Sequence, residues 1–243
     1  MSKRPVIFVG VRGDFSLPIH ITCKLGIPVA GILDKYYYGN TESVFDIPII
    51  GNEDQLLDLT DSQANNWREN YDFFVTSYWT GSQHLNDVGL DNEQVRKDRI
   101  ALVERAGVNV INLIDPTCVY TPGYNVKIGR GVLIGMNTGF ASNITVGDFC
   151  SIDSFTTIGH DVHLAKNVSI GPRCILSSAV VDENSRIGVR STVVGGFDNK
   201  GDPLHVGAGS TVWMGVTLMK DLPPNSIAVP PMHRILSKYQ KEQ

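Results

Sequence analysis

Every sixth residue of this chain from Ile128 onward is apolar: Ile128, Ile134, Phe140, Val146, Ile152, Ile158, Leu164, Ile170 and Leu176. Mostly small residues follow these anchors, namely Gly129, Gly135, Ala141, Gly147, Asp153, Gly159, Ala165, Gly171 and Ser177. Four places after each anchor stands Val132, Thr138, Ile144, Cys150, Thr156, Val162, Val168, Cys174 or Val180. A short fixed period with two inward-pointing positions makes each unit one flat strand that cannot bury its apolar side chain alone. Such units must stack on copies of themselves. The repeat therefore predicts a β-helix. With three hexads to a triangular turn, residues eighteen apart lie one above another, about five coils form, and neighbouring coils sit roughly 4.8 Å apart.

The period slips by one residue near Asp182 and resumes at Ile187-Gly188 and Val193. A polar, glycine-rich stretch from Gly195 to Asp202 then interrupts it before Val206, Val212 and Leu218 restore it. That stretch reads as a loop thrown out of an otherwise regular coil.

The first 115 or so residues follow another pattern. Val6 to Val9 is a short buried-strand run, Gly10 to Phe15 a glycine turn, and Leu17 to Leu25 a candidate helix. Ile27 to Leu33 reads as a second strand ending at Asp34, and Ile47 to Ile50 as a third, with Asn52 capping a helix through Leu59. Asp72 to Thr76 is a further strand, Asn92 to Ala106 a helix, and Val108 to Leu113 a last strand. Strands alternating with helices imply a parallel sheet in a small Rossmann-like domain. The expected organisation is an α/β Rossmann-like domain over residues 1–115 and an all-β parallel β-helix with a C-terminal tail over 116–243.

Composition narrows the class. A net charge of −4 with scattered Lys and Arg gives no basic stripe for nucleic acid. No run of eighteen apolar residues exists to insert in a membrane, and the N-terminus shows no signal-peptide pattern, so a cytoplasmic protein is expected. Cys23, Cys118, Cys150 and Cys174 have no paired spacing. Cys150 and Cys174 fall on inward repeat positions and read as small core hydrophobes.

In open parallel sheets, ligands bind beyond the carboxyl ends of the strands. Gly10, Arg12, Gly13, Asp14 and Phe15 lie at one such end, and Asp34 and Lys35 at the next. A glycine turn lets backbone N–H groups approach a phosphate, and Asp34 is placed to accept a hydrogen bond from a ribose or a base. The spacing Gly10-x-x-Gly13 is not the dinucleotide pattern, so NAD is not implied. A tight turn plus a solvated aspartate is the structural alternative.

Among the six histidines, His160 stands two residues after the anchor Ile158, where one strand turns into the next. Its ring should project from an edge of the prism that also carries Ser142 one coil below and Ser178 one coil above. Asp161 can accept a hydrogen bond from one ring nitrogen, directly or through water, leaving the other free as a base. A solvated corner histidine is the alternative reading. His163, in the same hexad, is a second candidate, whereas His20, His84, His205 and His233 have no comparable setting.

The combination of a small Rossmann-like domain and hexapeptide coils, with Ile158-Gly159-His160-Asp161-Val162 in the middle and Asp221-Leu222-Pro223-Pro224-Asn225-Ser226 near the end, resembles the bacterial nucleotide-aminosugar N-acetyltransferases. Sialic-acid O-acetyltransferases are relatives of that family. The resemblance implies a left-handed β-helix and acetyl-CoA-dependent N-acetylation of a nucleotide-linked aminosugar, with sugar O-acetylation as the alternative. It places the catalytic histidine at His160 and its acidic partner at Asp161. It also implies a homotrimer with sites between neighbouring prisms, nucleotide-sugar held by the N-terminal domain, and coenzyme A held at Ser169, Ser178, Gly215 and Val216, with no metal. The chain departs from the family's Gly-x-Gly-Gly-His-Gly loop at Gly10 to Phe15, and has Ser169 where a second histidine is common. Two other classes compete: a zinc hydratase, which needs three converging histidines, and a noncatalytic nucleotide-binding scaffold.

Overall fold

The computed structural model describes residues 3–11, 16–76, 92–120, 124–196 and 201–231. The N-terminal part is a five-stranded sheet with strands β1 (Val6–Val9), β2 (Val29–Leu33), β3 (Ser43–Val44), β4 (Ile47–Gly51) and β5 (Asp72–Val75) in the order β3-β4-β2-β1-β5. All pairings are parallel except β3 with β4. Helix α1 (Ser16–Leu25) joins β1 to β2, and α2 (Ser62–Asn70) and α3 (Asn92–Ala106) flank β5 in sequence. The short apolar runs are central strands because both faces of the sheet are covered: Ile7 and Val9 pack with Leu56, Trp67 and Val103 on one side, Val6 and Phe8 with Ile21 and Phe74 on the other.

Two local expectations change. The helix after Asn52 is only one 3₁₀ segment, Glu53–Leu57, closed by a reciprocal bond between Asn52 and Gln55. Helix α2, which its polar sequence conceals, is started by Asp61, whose carboxylate accepts from the N–H groups of Gln63 and Ala64.

The second half is a parallel β-helix of the left-handed type, with faces of six, five and seven strands. Its core is the column of anchors and partners read from the hexads, including Ile134, Ile152, Ile170, Ile187 and Val212. Each such side chain contributes about 1.5–3 kcal/mol by leaving water. At the prism corners one residue per hexad takes a left-handed backbone, among them Asn143, Phe149, Asp161, Asn167 and Arg173. Asn and Asp recur there because they tolerate that conformation best after glycine.

The coils start earlier than the hexads suggest. Leu113–Ile114 already pairs with Leu133–Ile134, while Val110 makes only an isolated bridge to Phe73 of the N-terminal sheet. The strand expected over Val108 to Leu113 is thus shared between the two halves. They are also joined by packing, since Phe149, a corner residue of the coils, is buried with Val75 and Ile100, and Leu133 with Phe8 and Phe74. Buried Arg96 on α3 donates to the Phe149 carbonyl at 2.6 Å and to Asn167 Oδ1 at 2.7 Å. Among the described residues no helix is long and apolar enough to cross a membrane.

Candidate active site

His160 and Asp161 form the turn between the strands Thr157–Ile158 and Val162–Leu164. The turn is locked to its neighbours above and below. The Asp161 N–H donates to the Ser142 carbonyl at 3.0 Å, and the Ser178 N–H donates to the His160 carbonyl at 2.8 Å. Ser142 and Ser178 therefore border the turn from below and above.

The His160 Nδ1 lies 2.8 Å from Asp161 Oδ2, and the two side chains are 62% and 57% exposed. Asn143 Nδ2, on the coil below, donates to the other carboxylate oxygen of Asp161 at 3.0 Å. First the His160 ring and then the Asn143 amide hold the Asp161 carboxyl below the usual carboxylate range. An ionised Asp161 favours the tautomer with the proton on Nδ1, which leaves the lone pair on Nε2.

The same corner collects the irregularities of the coil. Val126 pairs with Ile144 and Ile144 with Val162 at the full period, but Val162 pairs with Ala179, one residue short. The slip that the sequence places near Asp182 thus falls at Ser178, over the His160–Asp161 turn, because a corner loses a residue without disturbing a strand. One coil higher, Ala179 pairs with Leu204, so the whole interruption leaves from this corner too. Gly196 and Asp202 close its base through a 2.9 Å backbone bond, and residues 197–200 lie outside the described residues. A cleft of about 320 Å³ opens beside it, lined by Gly195, Gly196, Leu204, Met219, Lys220 and Asp221 among others.

The other site expectations fare unevenly. His163 points outward from the strand Val162–Leu164, away from the corner. His205, which the sequence gave no special setting, has its Nε2 3.1 Å from Asp182 Oδ2, but it lies within the strand Leu204–Val206. Ser178 shares the corner of His160, whereas Gly215 and Val216 lie at the next corner and Ser169 begins the strand Ser169–Ile170. One chain does not bring these four together. Gly10 is buried with a positive φ, and Arg12, Gly13, Asp14 and Phe15 lie outside the described residues. Lys35 is exposed, its ammonium 3.5 Å from Asp54.

Asp34 is not the solvated aspartate of a tight turn. It is fully buried, and its carboxylate accepts from the Val11 N–H at 3.1 Å, the Tyr36 N–H at 2.9 Å and Arg99 Nη2 at 2.8 Å. So occupied, the carboxylate organises the ends of β1 and β2. Its partner Arg99 was missed because charges on α3 suggest a solvated face, although Arg99 stands four residues before the core residue Val103. Among the described residues no group of three or more His, Cys, Asp or Glu is placed to hold a metal ion.

The family described as Bacterial transferase hexapeptide (six repeats) matches residues 125–160. The GDP-perosamine N-acetyl transferase from Caulobacter crescentus, solved as a histidine-to-alanine mutant with CoA and GDP-perosamine, superposes with a TM-score of 0.72. It is 21% identical over 93% of both chains. The chain has the fold of that acetyltransferase. WeeI from Acinetobacter baumannii AYE gives 0.71 at 18% identity, over 96% of this chain and 100% of its own. The acetyltransferase domain of PglB from Neisseria gonorrhoeae FA1090, in complex with acetyl coenzyme A, gives 0.65 at 22% identity, over 93% of this chain and 95% of its own. These likenesses span both halves of the chain, so the pairing of sheet and coils is itself shared. No curated protein matches the sequence.

Proposed function

We propose that this protein transfers an acetyl group from acetyl-CoA to the amine of a nucleotide-linked aminosugar, with His160 as general base. The observation that carries the reading is the His160–Asp161 pair, exposed at the one corner where the coil drops a residue and throws out its excursion. A regular scaffold has no need of either. The fold shared with proteins solved with CoA, acetyl-CoA and GDP-perosamine supports the proposed substrate class.

The step is a direct acyl transfer. The sugar amine attacks the thioester carbonyl, its proton passes to His160 Nε2, the carbon–sulfur bond breaks, and the coenzyme A thiolate leaves and is protonated. Asp161 orients the ring and stabilises the imidazolium as it forms. No acyl-enzyme is required. Burial pushes the Cys150 thiol up to about 12 and the Cys174 thiol up to about 11, so neither supplies a thiolate nucleophile near neutral pH.

A homotrimer belongs to this reading. Exposed Phe155, Val189, Trp213 and Met214 follow one corner of the prism, where a second prism would cover them. Ser178 and Gly215, a corner apart on one chain, then belong to donor sites built between copies. The functional test is a set of aminosugar nucleotides incubated with acetyl-CoA, read by free thiol and by product mass. A mass gain of one acetyl group on the amine supports the reading. Thiol release with none of them, or acetylation of a hydroxyl alone, sinks it.

A further inference from the structure

On α3, Arg99 is 2% exposed and holds two buried carboxylates at once, through Nη2 to Asp34 at 2.8 Å and Nε to Glu53 at 3.0 Å. Those carboxylates in turn gather the backbone at the carboxyl ends of the sheet. Asp34 takes the N–H groups of Val11 and Tyr36, and Glu53 takes that of Lys35. The Asp34 N–H donates to the Gly51 carbonyl at 3.0 Å, so the end of β4 is tied to the same cluster. Beyond Lys35 runs the aromatic stretch Tyr36-Tyr37-Tyr38, with the Tyr36 ring centroid 5.8 Å from the Arg99 guanidinium.

We propose that Arg99 is a positioning residue for the acceptor. It does not touch the nucleotide-sugar. Through the two carboxylates it fixes Val11 after β1 and Lys35 and Tyr36 after β2, at the edge of an open parallel sheet where a ligand sits. The planar fork of the guanidinium is what allows one cation to serve both carboxylates with directed bonds, which a lysine ammonium cannot reproduce. The acetyl donor and His160 sit on the coils and do not depend on the cluster. This inference rests on the acceptor reading given above.

The experiment compares wild type, Arg99→Lys and Glu53→Gln, using acetyl-CoA and the best aminosugar nucleotide. In Arg99→Lys the acceptor KM should rise by about 10- to 100-fold while the acetyl-CoA KM and kcat at saturating acceptor stay within about threefold. Hydrogen exchange should quicken at the Val11, Lys35 and Tyr36 amides, which the cluster holds, and remain unchanged over 150–180. Glu53→Gln keeps an acceptor for the Lys35 N–H and the pair of Arg99 with Asp34. It should shift the acceptor KM the same way by a smaller factor, and it carries the test if Arg99→Lys does not fold. Unchanged acceptor KM in the folded variants, or equal rises in both KM values, overturns the proposal. If wild type acetylates no aminosugar nucleotide, the functional reading fails. The exchange pattern then still decides whether Arg99 orders these residues.

Discussion

Replacing Gly159 by alanine tests whether coil stacking sets the residue type beside the candidate base. A Cβ built on Gly159 would lie 2.6 Å from Ser177 Oγ, 2.7 Å from its Cβ and 3.0 Å from the Leu176 carbonyl oxygen on the coil above. Overpacking of this kind costs about 1–3 kcal/mol, and the lower chain entropy of alanine returns about 0.4–1 kcal/mol. The net loss is up to about 2.5 kcal/mol, a fall in Tm of up to roughly 10 °C for a chain of this size. Gly139 is the control, since a Cβ there meets nothing within 4 Å and its φ is not positive. Gly139→Ala should be neutral or stabilising by up to about 1 kcal/mol. Differential scanning fluorimetry and urea unfolding of both variants measure the difference, and kcat/KM reports the displacement of His160. Equal stabilities for the two variants would refute the stacking argument.

Native protein treated with iodoacetamide at pH 7.5 should be alkylated at exposed Cys23, while Cys150 and Cys174 react only after unfolding, as mass spectrometry of native and denatured samples will read. At the junction of the two halves, burial pushes the Asp115 carboxyl up, but the Thr117 hydroxyl and N–H and then Lys24 outweigh it and leave it below the ordinary 3.8. A depressed folded value means stabilisation present above the unfolded value and lost as pH falls through the folded one. Urea midpoints measured between about pH 6 and 3 should therefore fall less steeply with acid in Asp115→Asn than in wild type. Light scattering at micromolar concentration should give the mass of three chains, and a fully active monomer would contradict the trimer.

Much of this was legible in the hexads. The anchors Ile134, Ile152 and Ile170 form the core column because a six-residue period leaves no other way to bury them. The corner setting of His160 followed from counting two residues past Ile158. What sequence could not supply was long-range pairing. The one-residue slip is spread over a repeat until strand partners locate it at Ser178. The burial of Asp34 was not legible because its partners, Arg99 and Val11, come from other elements. Helix α3 carried its apolar stripe openly, but that Arg96 and Arg99 turn inward depends on carbonyls and carboxylates that only the folded chain presents.

His160→Asn removes the proton acceptor while leaving a polar side chain at the corner, so it addresses the proposed base directly. With the best aminosugar nucleotide and acetyl-CoA, kcat/KM should fall by roughly 10²–10⁴ with the Tm and assembly unchanged. Near-normal turnover by the variant, or a hydroxyl analogue of the sugar acetylated by wild type as fast as the amine, would contradict the account.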